Sequence, residues 1–190
     1  NDNTIKSVND VMVGDVIKTN ALYNLNVDQE HLWKYYSEPS NLVFSGSTTT
    51  TTQVVEKDSG SDLALTVKFV LDNGLDFTYG NNGVVLTEDT DGNVKFVEIN
   101  QLSIGDKVVI NHIETDQFES RIITSLIYEY KSVIRYVFDV EESDLYLKVD
   151  DSVSPQFYMI NHNPAGICSC YVGSNLSCNA PCLSGGECEQ

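Results

Sequence analysis

"INQLSIGDKVVI", Ile99–Ile110, rewrites a phrase that stands near the start of the chain as "SVNDVMVGDVI", Ser7–Ile17. Val8, Val11, Val13, Gly14 and Asp15 of the first copy correspond to Ile99, Leu102, Ile104, Gly105 and Asp106 of the second, with the same internal spacing. Each copy reads as a polar approach, a Val/Ile/Leu pair and a Gly-Asp turn that launches a strand, Val16-Ile17 in one and Val108–Ile110 in the other. Gly suits such a corner because it takes positive φ without a steric penalty, and Asp can bond its own backbone. The repetition points to an internal duplication, two similar halves each opened by a Gly-Asp corner.

Outward from these corners the chain reads as strands. Val54–Glu56, Leu63–Val70, Leu75–Tyr79 and Val84–Leu86 form one series, rich in β-branched and aromatic residues, with Asp72-Asn73-Gly74 as a hairpin signal. A tight turn at Glu88–Asn93 and a strand at Val94–Val97 lead into the second corner. Arg121–Tyr130, Val133–Val140, Leu145–Val149 and Phe157–Ile160 make a second series. One helix is expected at Asp28–Tyr36, capped by Asp28 and stopped by Glu38-Pro39; its apolar residues suit a cover over one end of a β core. The threonine run Thr48–Thr52 reads as an exposed strand or a linker. The fold class is all-β.

The 190 residues suffice for one β domain with a buried core and an appendage. Acidic residues number 28 against 11 basic, a formal charge of −17, and no Lys or Arg cluster stands out. Nucleic acid is therefore an unsuitable partner, because neutralising phosphates needs clustered cations, and an anionic membrane surface is unsuitable for the same reason. No apolar run reaches bilayer length and no secretory leader opens the sequence, so a soluble chain is expected. Composition changes abruptly near Asn163. Cys168, Cys170, Cys178, Cys182 and Cys188 all fall in the last segment, which divides the chain into a β domain, 1–163 with an insertion at about 20–53, and a Cys-rich tail, 164–190. Such a tail needs staples. Cys168, Cys170, Cys178 and Cys182 could ligate zinc, and two disulfides with one thiol left over fit equally well. No cofactor is expected for the β domain. Asp89-Thr90-Asp91-Gly92-Asn93 resembles a calcium loop only in part, since the distal Glu is missing, and reads as a hairpin turn. His31 and His112 have no Cys or carboxylate neighbours at metal or triad spacing.

In their order, "VNDVMVGDVI", "GVVLTEDTDGNVKFVEINQLSIGDKVVI" (Gly83–Ile110), "YVFDVEESDLYLKV" and "FYMINHN" (ending at Asn163) are similar to the motifs of Hint domains, the Hedgehog/intein family of self-cleaving β domains. The resemblance covers most of residues 1–163. It implies a horseshoe of long, curved strands with internal pseudo-two-fold symmetry, of which the repeated phrase is the mark. The connection between the first phrase and Val54 leaves no space for the homing endonuclease that many inteins carry.

The resemblance also implies a chemistry to look for. The family's first residue, a Cys or Ser, attacks the preceding carbonyl; here that position would lie before Asn1 or has been lost. Aligning Val84–Thr87 with the family's "P-V-L-T" puts Gly83 where a mid-domain His distorts and protonates the scissile amide. His162 and Asn163 match the closing pair, in which Asn cyclises onto its own carbonyl and His protonates the departing amine. Asp139 matches an assisting acidic position. Pro164 follows, and a prolyl nitrogen can leave but cannot accept a transferred chain. The expectation is an intein-like domain that has lost splicing and serves as a structural or interaction module of a larger assembly, for example a phage virion protein, with flanking precursor segments or other subunits as partners. The alternative is self-cleavage after Asn163.

Overall fold

The computed structural model describes residues 5–21, 48–141, 145–152 and 154–162, and gives the backbone alone at Asn20, Ala21, Thr48, Thr49, Asp62, Arg135, Val137, Asp139 and His162. The helix expected at Asp28–Tyr36, Asn163 and the cysteines lie outside the described residues. Nine strands follow: β1 Val16–Ala21, β2 Thr48–Leu71, β3 Asp76–Gly80, β4 Val84–Glu88, β5 Val94–Glu98, β6 Lys107–His112, β7 Phe118–Val140, β8 Leu145–Val149 and β9 Phe157–His162. They form one open, curved sheet in the order β1-β2-β7-β6-β4-β9-β8, with β3 added to β2 and β5 to β4. Among the described residues the helical turns are two short 3-10 segments, Val8–Asp10 and Ile99–Gln101, and no helix is long and apolar enough to cross a membrane.

Those two turns open the repeated phrases, and the duplication extends to atomic detail. Gly14 and Gly105 both take positive φ, 91° and 102°. The Asp15 carboxylate accepts the Met12 N–H at 2.7 Å, and the Asp106 carboxylate accepts the Ser103 N–H at 2.8 Å. Gly14 N–H donates to the Val54 carbonyl while Val54 N–H donates to that of Asp15; Gly105, Ile123 and Asp106 repeat the exchange. The strands that leave the corners pair in matching register. Val16 faces Gln53 as Lys107 faces Ile122, and the correspondence holds to Asn20 opposite Thr49 and Asn111 opposite Phe118.

The two halves share a ribbon. β2 runs from the first corner to the second, β7 runs back, and they pair antiparallel along almost their whole length. Leu63 faces Ser132 at the middle, and each end carries a bulge beside its corner: Val55 is the extra residue between the Val54 and Glu56 pairs, Thr124 the extra one between the Leu71 and Val70 pairs. A bulge adds twist and bends its strand. Placed symmetrically, the two curve both arms of the ribbon alike.

The cores repeat as well. Val11, Val54, Phe138 and Val140 form a small cluster with Ile17 and Tyr136, and their counterparts Leu102, Ile123, Phe69, Leu71, Val108 and Val67 all lie in the main cluster. That cluster is enlarged by Phe77, Val85, Ile99, Ile110 and Met159, while Val84, Leu86, Phe96, Val109, Leu145 and Ile160 fill the other face. Each large side chain so buried contributes about 1.5–3 kcal/mol. One exchange beside the cores reverses the chemistry. Lys57 donates to the carbonyls of Asn9 (2.9 Å) and Val11 (2.6 Å) and lies over the Tyr136 ring at 4.9 Å. Its counterpart Leu126 packs on the main core. A cation thus closes the small cluster where an aliphatic side chain closes the large one.

The strands expected as Val54–Glu56 and Leu63–Val70, together with the threonine run, are a single strand, as are Arg121–Tyr130 and Val133–Val140. The intervening Asp58–Ser61 and Lys131–Ser132 are polar because the middle of the ribbon is exposed, so burial imposes no alternating pattern there.

Candidate functional site

β9 lies between β8 and the β4/β6 pair, so its last residues sit inside the sheet. His162 faces Val84 on one side and Leu145 on the other, and Asn161 likewise faces Val85 and Tyr146. Val84 directly follows Gly83. The register therefore brings the closing His162 beside the strand start where the resemblance expects the mid-domain His. Asp139 is near the end of β7, facing Glu56 next to the Val55 bulge, and its neighbour Phe138 packs edge-on against Tyr146 at 6.1 Å between ring centroids. The backbone positions of Asp139 and His162 are thus linked through Phe138, Tyr146 and Asn161.

Gly83 has no room to be anything larger without rearrangement. A Cβ there would come within 3.0 Å of Ile99 Cδ1, 3.2 Å of the Gly80 carbonyl and 3.4 Å of the Tyr79 ring. The chain is pinned on both sides: Gly83 N–H donates to the Gly80 carbonyl at 3.0 Å, and Ile99 N–H donates to that of Gly83 at 2.8 Å. The Gly80–Gly83 turn is closed over Ile99, a fully buried core residue.

Beneath this junction lies a polar group that the sequence did not announce. Asn161 is buried, and its Nδ2 donates to the Met159 carbonyl at 3.1 Å and the Tyr146 carbonyl at 3.4 Å. Asn161 Oδ1 and the Tyr79 hydroxyl are both buried without a partner at hydrogen-bonding geometry. Burial, and secondarily Tyr146, push the Tyr79 hydroxyl well above the usual tyrosine range, with Asn161 countering part of the rise. Burial lifts Tyr146 to about 12. Both phenols stay neutral at any physiological pH. They can donate a hydrogen bond but hold no proton poised for transfer. Lys148 lies over the Tyr79 ring at 4.6 Å and pairs with Asp151 at 2.9 Å.

The approach to β9 is fixed by Asp150. Its carboxylate accepts the N–H groups of Ser152 (3.0 Å), Gln156 (2.9 Å) and Phe157 (2.9 Å), knotting the loop between β8 and β9. Burial pushes this carboxyl up, but the Ser152, Phe157 and Gln156 bonds together more than reverse it, and its pKa ends below the ordinary value. An Asp followed by Ser and Pro in a turn was the available signal for such a knot.

The remaining sites resolve simply. Asp89 accepts from the N–H groups of Asp91 and Asn93, both at 2.9 Å, and Gly92 takes positive φ, which makes the Asp89–Asn93 run a hairpin turn. His112 packs edge-on to Phe157, and its Nδ1 accepts the Glu114 N–H at 3.2 Å. Among the described residues no group of His, Cys, Asp and Glu is arranged to hold a metal.

No family model and no curated protein matches the sequence. Solved structures do. The chain is similar to the bacterial intein-like domain from Clostridium thermocellum, with 16% identity over 82% of this chain and 86% of that one and a TM-score of 0.52. An intein from a hyperthermophile aligns with 10% identity over 78% of this chain and 96% of its own, TM-score 0.51. The TvoVMA intein aligns with 14% identity over 63% of this chain, TM-score 0.52; the match takes in 66% of that chain, just under two thirds of its length.

Proposed function

We propose that this chain, whose fold is that of inteins and intein-like domains, no longer activates its amino-terminal junction and serves as a structural and interaction module of a larger assembly. The observation that carries the reading is Gly83. The position assigned to the activating imidazole is filled by a residue whose Cβ would already press on Ile99 and the Gly80 carbonyl. Without an acid there, the amide nitrogen of a scissile bond has no proton donor, and the neutral phenols of Tyr79 and Tyr146 are too weakly acidic to replace it. Its partners are flanking segments of its own precursor or other protein subunits, with a phage virion as one such setting. The formal charge of −17 speaks against nucleic acid and anionic membranes.

A second reading is favoured by the placement of His162 between Val84 and Leu145, at the heart of the sheet. Held there, the His162-Asn163 pair would serve cleavage after Asn163. The side-chain Nδ2 of Asn163 attacks its own backbone carbonyl and loses a proton to solvent, the bond to Pro164 breaks, and His162 gives a proton to the departing prolyl nitrogen, leaving a carboxyl-terminal succinimide. Intact mass of the purified chain, followed over days under reducing and oxidising conditions, separates the two. A constant mass spanning Asn163-Pro164 is expected; a fragment ending in Asn163 or its succinimide overturns the first reading in favour of the second.

A further inference from the structure

The ribbon that joins the halves is open over part of each edge. On the outer edge of β2, β1 covers Thr48–Gln53, the Val54 backbone is engaged by the Gly14-Asp15 corner, the Leu65 carbonyl accepts from Asn81, and β3 pairs from Thr66 to Val70. Between them Val55–Ala64 pairs on that edge with no strand among the described residues, but the stretch carries Glu56, Lys57, Asp58, Gly60 and Asp62, which suit a solvated edge. On β7 the second corner engages Ile123, and β6 covers Phe118–Ile122. Beyond that point no strand among the described residues pairs with the outer edge of β7. β8, the counterpart of β3, is paired to β9 instead, so Arg135–Asp139, which match Thr66–Val70, have no added strand either among the described residues.

The stretch Thr124–Ile134, "TSLIYEYKSVI", has the composition of a strand built for pairing: β-branched and aromatic residues, with neither Gly nor Pro. Register and alternation place Leu63, Leu65, Tyr128, Tyr130 and Ile134 on one face of the ribbon. Tyr130 is 71% exposed, Leu63 68% and Ile134 61%. Natural sheets blunt such edges with charge, proline or bulges. Here one bulge, at Thr124, and one Lys–Glu pair, Lys131 with Glu129, are all that protect it among the described residues.

We propose that the outer edge of β7, from Thr124 to Ile134, is a docking site for an extended peptide strand of another protein, added to the sheet by main-chain hydrogen bonds with its apolar side chains on the Tyr128–Tyr130–Ile134 face. Charge selects the occupant. The stretch itself carries one Glu and one Lys, a neutral window on a chain of formal charge −17. A second copy brings another −17 to the contact and is repelled, whereas a strand of alternating apolar residues with basic flanks is drawn in. The inference deepens the reading of the domain as an interaction module. It is separable from that reading, because the intact-mass measurement decides cleavage without reference to this edge.

The test uses the full chain and a synthetic peptide of alternating Val and Thr flanked by Lys, with a copy N-methylated at alternate residues. Amide exchange by NMR is expected to slow at least about tenfold at alternate positions of Thr124–Ile134 when the peptide is added. The N-methylated copy leaves exchange unchanged, and Tyr130→Lys, at an exposed position that folding does not need, weakens binding about tenfold. Equal binding of the N-methylated copy, protection confined to other strands, or protection that appears without peptide and grows with protein concentration overturns the proposal. The last result would assign the edge to a second copy.

Discussion

Gly105→Ala tests the corner on which the duplicated architecture depends. The site is open, with nothing within 4 Å of the position an added methyl group would take, so any cost comes from the backbone at φ 102° rather than from a clash. Holding a side chain in that region costs about 1–3 kcal/mol. Alanine returns about 0.4–1 kcal/mol by stiffening the unfolded chain. The net loss is about 1–2 kcal/mol, or about 2–8 °C in Tm for a chain of this size. Gly14→Ala, with φ 91° and equally open space, is expected to lose the same amount to within about 0.5 kcal/mol, and the double variant should lose the sum, since the two corners share no bonding partners. Gly60→Ala is the control: it too is open, but it lies within β2 without positive φ, so its effect should be neutral or slightly stabilising. Urea denaturation of the four variants measures all of this. An unchanged midpoint for Gly105→Ala, or a loss at Gly60 as large as at Gly105, would refute the argument from φ.

Asp150→Asn exchanges an acceptor of three backbone N–H groups for an amide that can satisfy fewer of them, at a residue 2% exposed; a loss of about 2–4 kcal/mol is expected in urea melts. Because the folded pKa of Asp150 lies below its unfolded value, its contribution in the parent chain is complete above the ordinary carboxylate range and disappears as pH falls through the depressed value; the variant should lack that segment of acid sensitivity. Leu102→Ala should cost about 2–5 kcal/mol by opening a cavity in the main core, and the equivalent Val11→Ala, in the smaller cluster and 9% exposed, distinctly less, about 1–2 kcal/mol; equal losses would contradict the difference between the two cores. Gly83→Ala should cost about 1–2 kcal/mol through pressure on Ile99, and Ile99→Val should recover part of it in the double variant; a purely additive cycle in thermal melts would show that the contact is not the cause.

The fold was legible in the sequence where local rules and tertiary needs agree. The Gly-Asp corners, the Asp72-Asn73-Gly74 hairpin and the strand at Leu145–Val149 could be read from turn chemistry and β propensity, and the structure places them there. Legibility failed in the middle of the ribbon, where Asp58–Ser61 looks like a loop because its side chains are exposed. It is held as strand by the facing Val137–Ile134 stretch, a partner far along the chain. The site divides in the same way. Gly83 and His162 could be singled out from motif order alone, whereas the polar group of Tyr79, Tyr146 and Asn161 could not. Those three residues meet only because β9 is inserted between β8 and β4, and no local pattern encodes that crossing.

β2 and β7 each belong to both lobes at once. Strip either strand from one lobe and the other lobe loses half of its own central pair, so neither can persist as a folded fragment while its twin is open. Heating should therefore give a single sharp heat-absorption peak rather than two, despite a layout that looks bipartite; the price of the shared ribbon is that the two copies of one ancestral unit can no longer live apart.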